Sequence, residues 1–266
     1  MKIQGVILDW AGTTIDYGCF APLAAFIEAY ANKGITVTAE EARKPMGMLK
    51  RDHIQAIGEM DGVSSQWIAK YGKSITDADF DEMYADFERS LFSVLRTYAV
   101  PIPGAVELVE RLRSQGIKIG STTGYTTEMM MVVADEAKKN GYSPDCLVTP
   151  DEMPAGRPYP WMCYENAIRL NLYPMKSIIK VGDTISDVLE GVNAGAWSIG
   201  ILKGSNELGM TEDEVQSADS AVLEAKLADI KDRYMQAGAH YVIDSIGELD
   251  SVIELINDRL AKGDRP

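Results

Sequence analysis

From Gly104 onward the chain alternates two apolar spacings, and this alternation limits its fold more than any other property. Runs with helical spacing cover residues 105–115, 126–140, 161–170, 185–194, 221–236 and 246–260. Between them lie short β-branched or apolar runs at 117–121, 146–148, 177–181, 197–201 and 241–243. Such βαβα alternation predicts a parallel sheet covered by helices on both faces. A lone strand, Val6-Ile7-Leu8, precedes a segment that reads as helical throughout, so it has to join that sheet. The expected fold is α/β: a Rossmann-like doubly wound parallel sheet built from residues 1–19 and 99–266, with an all-helical cap domain, 20–98, inserted into it. Pro101-Ile102-Pro103-Gly104 marks the return to the sheet.

Within 20–98, the spacing of Leu23, Phe26, Ile27 and Tyr30 predicts an amphipathic helix over 22–32. Thr38-Ala39-Glu40-Glu41 reads as a capping box opening a short helix that breaks at Lys44-Pro45-Met46-Gly47. Further helices are expected over 49–60, 66–71 and 77–98. With 266 residues, 46% of them apolar, the chain can bury a substantial core. A net charge of −14 opposes binding to nucleic acid or to an anionic membrane, so an anionic substrate has to be attracted locally. The chain starts directly in a strand, leaving no room for a signal peptide, and no apolar run reaches membrane-spanning length; the expected location is cytoplasmic. Cys19, Cys146 and Cys163 have no metal-like spacing and are an odd number, and the histidines are His53 and His240, which speaks against zinc and against a disulfide framework.

Chemistry concentrates where strands end. Asp9 follows the first strand directly, where open α/β sheets bind ligands; it either faces a site or caps the next helix. Thr122-Thr123-Gly124-Tyr125 ends another strand, as a cradle for phosphate oxygens or as a helix cap. After a third come Asp183 and Asp187, four apart on one helical face, suited to a hard cation or to the dipole of a helix start. Arg157, in a Pro-rich loop, is either a site cation or a solvated surface residue. Carboxylates from two strand tips suit Mg²⁺, and Asp9 is then a candidate nucleophile for a phosphoryl group.

In this order the segments D-W-A-G-T-T from Asp9, the Thr122-Thr123 tip, Arg157 and G-D-T-I-S-D from Gly182 resemble the four motifs of the haloacid dehalogenase superfamily. The resemblance implies Asp9 as nucleophile, Thr123 as phosphoryl-binding hydroxyl and Arg157 as motif cation. It makes Asp9, Asp183 and the Ala11 carbonyl the Mg²⁺ ligands, with Asp187 as an outer acid. Phosphatases of that superfamily usually carry a second Asp two positions after the nucleophile, to protonate the leaving alkoxide; here that position is Ala11. The leaving group must be stabilised differently.

Lys50, just after the Pro-Gly break, can form a Schiff base with a carbonyl substrate, and an iminium accepts the electron pair of a breaking P–C bond. The stretches E-A-R-K-P-M-G-M-L-K-R-D-H, D-W-A-G-T-T-I-D-Y-G-C-F and A-G-R-P-Y-P-W-M-C-Y closely resemble the phosphonatase (phosphonoacetaldehyde hydrolase) family. For this chain the resemblance implies P–C bond hydrolysis of a small phosphonate, in 2-aminoethylphosphonate degradation. Lys50 is the implied Schiff-base lysine, and Cys19, Met46, Gly47 and Tyr125 line the substrate site. His53, three residues after Lys50 on one helical face, would assist proton transfers through water. The resemblance also implies a homodimer, and the apolar helix from Leu23 to Tyr30 offers a face for it. His240 and the run Met129-Met130-Met131 read as structural. The alternatives are a phosphomonoesterase of the same superfamily acting on a small phosphorylated metabolite, and a non-catalytic relative, which would be expected to have lost the motif residues that stand here.

Overall fold

The computed structural model describes all residues, Met1–Pro266. Six parallel strands form one sheet in the order β3-β2-β1-β4-β5-β6. They are β1 Gly5–Leu8, β2 Lys118–Thr122, β3 Cys146–Val148, β4 Ile178–Gly182, β5 Trp197–Ile201 and β6 Tyr241–Ile243. β1 lies at the centre, with Leu8 in register with Ser121 of β2 and Val181 of β4. The strand order reverses at β1, so the crevice beyond the tips of β1 and β4 is the switch point where such sheets bind ligands.

Residues alternate across the sheet as a strand's two-residue period demands. Val6 and Leu8 join the larger core, with Leu108 and Leu112 of α6 (Ala105–Ser114) and Ile253 and Ile256 of α12 (Leu249–Ala261). Ile7 points the other way, to a cluster with Cys163 and Ala167 of α8 (Trp161–Arg169). All five residues of β4 and of β5 are buried, as expected for strands covered on both faces.

Five helices stand between β1 and α6: α1 Ala21–Ala31, α2 Ala39–Arg43, α3 Lys50–Gly58, α4 Asp61–Tyr71 and α5 Asp77–Tyr98. Both reciprocal bonds of the Thr38/Glu41 capping box form at the start of α2. On α5, Phe80, Met83, Phe87, Leu91 and Leu95 make one buried stripe. The turn between α2 and α3 lies against the strand tips: a Cβ on Gly47 would stand 2.5 Å from Thr184 Oγ1, and one on Gly124 would stand 2.8 Å from the Met48 carbonyl.

Three local expectations change. α1 buries Leu23, Phe26 and Tyr30 within its own chain, so those residues are not free to meet a second subunit. The 246–260 run divides into a 3-10 turn, Ile246–Glu248, and α12. A short helix, α10 Glu212–Ser217, joins the predicted set, opened by a Thr211/Glu214 capping box. No helix is long and apolar enough to cross a membrane.

Candidate active site

Asp9 stands one residue beyond β1, its N–H donating to the Val181 carbonyl at 3.0 Å, so the strand ladder itself aims its side chain. Asp183 sits just after β4, before the Thr184 cap of α9 (Ile185–Asn193), while Asp187 lies in the first turn of that helix. The two acids therefore do not share a helical face, because the helix begins after Asp183. The β4 tip nonetheless folds them together: carboxylate oxygens of Asp9, Asp183 and Asp187 lie within 4.8 Å of one another.

Arg157 is no surface residue. Its side chain is 1% exposed and reaches Asp9 Oδ1 at 2.6 Å, Asp187 Oδ1 at 3.0 Å and Glu190 Oε2 at 3.0 Å. Arg157 Nη2 also donates to Thr122 Oγ1 at 2.8 Å, and that hydroxyl donates to Glu190 at 3.0 Å. Lys180, in β4, donates to Asp187 Oδ1 at 2.6 Å. The other Asp187 oxygen accepts from Thr184 Oγ1 at 2.6 Å. Both Asp187 oxygens are thus engaged by protein donors, whereas Asp183 takes only Thr13 Oγ1 at 3.2 Å and the Asn206 N–H at 2.7 Å.

Electrostatics separates these acids. Burial, with Asp9 and Asp187 alongside, pushes Asp183 well above the usual carboxylate range. Burial also raises Asp9, against the pull of Arg157. For Asp187, burial is outweighed by Arg157 and Lys180, which hold it low. The buried carboxylates Asp9, Asp183, Asp187 and Glu190 outnumber the buried cations Arg157 and Lys180 by two. That surplus, on hard oxygen donors, fits a divalent cation. The Gly12 backbone comes so close to Asp183 that a Cβ there would overlap the carboxylate, which keeps the cradle narrow.

Opposite stands Lys50, at the start of α3 and 4% exposed. No carboxylate pairs with it: Nζ is 4.0 Å from Met46 Sδ, 4.9 Å from the Tyr125 ring centre and 5.7 Å from that of Phe26. Burial lowers its ammonium pKa from the ordinary 10.5. Lys50 shares one cavity of about 20 Å³ with Asp9, Ala11, Cys19, Met46, Gly47, Thr123, Tyr125, Arg157 and Asp183. Thr123 Oγ1 accepts the Tyr125 N–H at 3.1 Å, which leaves its own proton free to donate. Burial keeps the Cys19 thiol and the Tyr125 phenol protonated.

His53 stands apart from this cavity. Its Nε2 lies 2.8 Å from the Ala42 carbonyl, its ring stacks on Phe26 with centres 3.7 Å apart, and Nδ1 has no partner. Burial and nearby Lys50 keep the ring neutral. His240 is far from the tips, accepting the Ser198 N–H at Nδ1.

Lys180, Glu190 and Asn206 were not singled out from the sequence. Lys180 did leave a signal, since a charged residue inside the apolar run Ile178-Ile179-Lys180-Val181 needs a buried partner.

The family model for haloacid dehalogenase-like hydrolases matches residues 3–195. A phosphonoacetaldehyde hydrolase of Bacillus cytotoxicus is 59% identical over 256 residues, covering 96% of this chain and 97% of the relative. The chain belongs to the phosphonoacetaldehyde hydrolase family. It is a hydrolase. A family member from Bacillus cereus is 55% identical over the same share of the chain. The crystal structure of a phosphonoacetaldehyde hydrolase-like protein from Oleispira antarctica superposes with a TM-score of 0.97 at 36% identity, covering 100% of this chain and 96% of that one.

Proposed function

We propose that the chain hydrolyses the P–C bond of phosphonoacetaldehyde, giving acetaldehyde and phosphate. One observation carries this reading: a buried lysine without an ion pair shares a small cavity with a buried aspartate, where an acid for an alkoxide leaving group is replaced by Ala11.

Neutral Lys50 attacks the aldehyde, and loss of water gives an iminium. Asp9 attacks phosphorus; the P–C pair moves into the iminium, leaving an enamine on Lys50 and a phosphoryl group on Asp9. Thr123 and Arg157 hold the phosphoryl oxygens, and Arg157 also keeps Asp9 aimed. Water hydrolyses the aspartyl phosphate. The enamine takes a proton at carbon, and a second water releases acetaldehyde and restores the amine. His53, outside the cavity and held by the Ala42 carbonyl and Phe26, supports the helix that carries Lys50 and takes no proton in this reading. Mg²⁺, held by Asp9, Asp183 and the Ala11 carbonyl, would neutralise phosphoryl charge. Asp187, its oxygens occupied by Lys180, Arg157 and Thr184, belongs outside that ligand set.

In this reading residues 20–98 are a cap over a core of 1–19 and 99–266, and Cys19, Met46, Gly47 and Tyr125 wall the substrate. Three free thiols suit the reducing cytoplasm. The homodimer rests on the family likeness, and a light-scattering mass of one chain at micromolar concentration would reject it.

The test is acetaldehyde release from phosphonoacetaldehyde with Mg²⁺, read by a coupled dehydrogenase, before and after treatment with substrate plus borohydride. Expected are turnover, its loss on reduction, and a mass adduct on Lys50. Brisk turnover of a chromogenic phosphate ester, with neither acetaldehyde nor adduct, would overturn the proposal in favour of a phosphomonoesterase.

A further inference from the structure

The turn after β5, residues 202–211, touches the acidic cluster through one atom pair: the Asn206 N–H donates to Asp183 Oδ2 at 2.7 Å. The core holds this turn through Lys203 to Asp244 and Glu207 to Arg233, and the inserted helices hold it from the other side. Arg43, the last residue of α2, donates through Nη1 to Asn206 Oδ1 at 3.0 Å and to the Asn206 carbonyl at 3.3 Å. Asn206 answers with Nδ2 to the Arg43 carbonyl at 3.2 Å, so the pair is reciprocal. The same Nη1 reaches the Gly18 carbonyl at 2.8 Å, where the chain leaves the β1 motif for α1. Gly18 N in turn donates to the Gly204 carbonyl at 2.7 Å, closing a ring of contacts. The guanidinium stacks 4.9 Å from the Phe20 ring centre, and a Cβ on Gly209 would meet Arg43 Nε at 2.8 Å, so the turn is shaped around this side chain.

A carboxylate rotates about a single bond, and Thr13 and Asn206 are the donors that set the rotation of Asp183, with Asp9 and the Gly12 backbone crowding it. We infer that Arg43 is a positioning residue: by tying the 202–211 turn to the inserted helices it holds the Asn206 N–H on Asp183, coupling their closure to the ligand geometry of the cation site. The inference rests on the Asp183 ligand assignment proposed above. The coupling is reciprocal, so cation binding favours the docked helices as much as docking favours the cation.

The experiment measures Mg²⁺ affinity by calorimetry, without substrate, for the parent chain and for Arg43→Met, Arg43→Lys, Asn206→Ala and Asp183→Asn, each checked by near-ultraviolet circular dichroism. Arg43→Met is expected to bind Mg²⁺ about 10-fold more weakly or worse, the loss seen when a partner orienting a metal ligand is removed. Arg43→Lys is expected to recover part of the affinity, because one nitrogen, Nη1, makes all the bonds to Gly18 and Asn206 and an ammonium can replace it there, while the stacking on Phe20 is lost. Asn206→Ala keeps its backbone N–H yet should match Arg43→Met, and the double variant should lose no more than either, as for two members of one linkage. If Arg43→Met fails to fold, Asn206→Ala decides. Parental affinity in both variants, with binding lost in Asp183→Asn, overturns the coupling and leaves the site standing. Undiminished binding in Asp183→Asn removes the ligand assignment and the coupling with it.

Discussion

Two buried lysines in one site are pushed in opposite directions. Lys180 faces Asp187 and Glu190, which outweigh burial and raise its pKa; Lys50 faces aromatic rings and a thioether, and burial lowers it. The first is a fixed charge and the second a candidate nucleophilic amine. Between the folded-state value of Lys50 and 10.5, the unfolded chain binds more protons than the folded one, so stability rises with pH across that window. Lys50→Met is therefore expected to melt above the parent at neutral pH, with the gap narrowing as pH rises past the folded-state value and closing at about pH 10, where the unfolded-state lysine also loses its proton. Thermal melts across pH check this. In the same variant acetaldehyde release should fall at least about 10³-fold, since the imine has no substitute. Glu190 is a second test: it alone accepts Arg157 Nε, so Glu190→Ala leaves a buried charge short of a partner. Urea unfolding should report a loss of about 3–5 kcal/mol.

The turn between α2 and α3 is the element that brings Lys50 to the strand tips, and it docks where Gly124 leaves room. Gly124→Ala places a Cβ 2.8 Å from the Met48 carbonyl, a backbone atom with little freedom to yield. Turnover is expected to drop about 10²-fold, the scale of a misplacement of roughly 1 Å. An unchanged rate would mean that this contact does not position Lys50. Most elements could be read from the chain because their apolar period is local: β3, β5 and β6 fall at the expected residues, as does α5. α10 escaped attention although Thr211 and Glu214 carry the same capping signature as Thr38 and Glu41, for it has no buried residue and thus no apolar period. The motif residues Asp9, Thr123, Arg157 and Asp183 were readable because each follows a strand or stands in a Pro-rich break. The Arg157–Glu190–Lys180 network and the Arg43–Asn206 pair were not, because their partners lie 33, 10 and 163 residues apart and only the tertiary fold joins them.

A cavity of about 20 Å³ has room for a water or so and none for phosphonoacetaldehyde, with its two carbons and phosphonate, so under the proposed reaction the inserted helices are expected to lift before substrate enters. The three free cysteines sample that motion at three depths. Cys146 is half-buried on β3, Cys19 lines the cavity, and Cys163 lies in the cluster beneath α8. Burial raises all three thiol pKa values, so exposure and not thiolate abundance orders their reactivity. With excess aromatic disulfide near neutral pH, Cys146 should react first. Cys19 should follow at the rate at which the helices lift, and Cys163 should wait for global unfolding, the behaviour expected when opening is local and the sheet stays folded. Under the proposed reaction phosphate and Mg²⁺ are what the helices close around after turnover, so the pair should bias them toward closure and slow Cys19 while leaving Cys146 unchanged. Labelling of Cys19 as fast as Cys146, indifferent to phosphate, would mean that the helices rest open in solution, and Lys50 would then meet Asp9 only once substrate has drawn the two together.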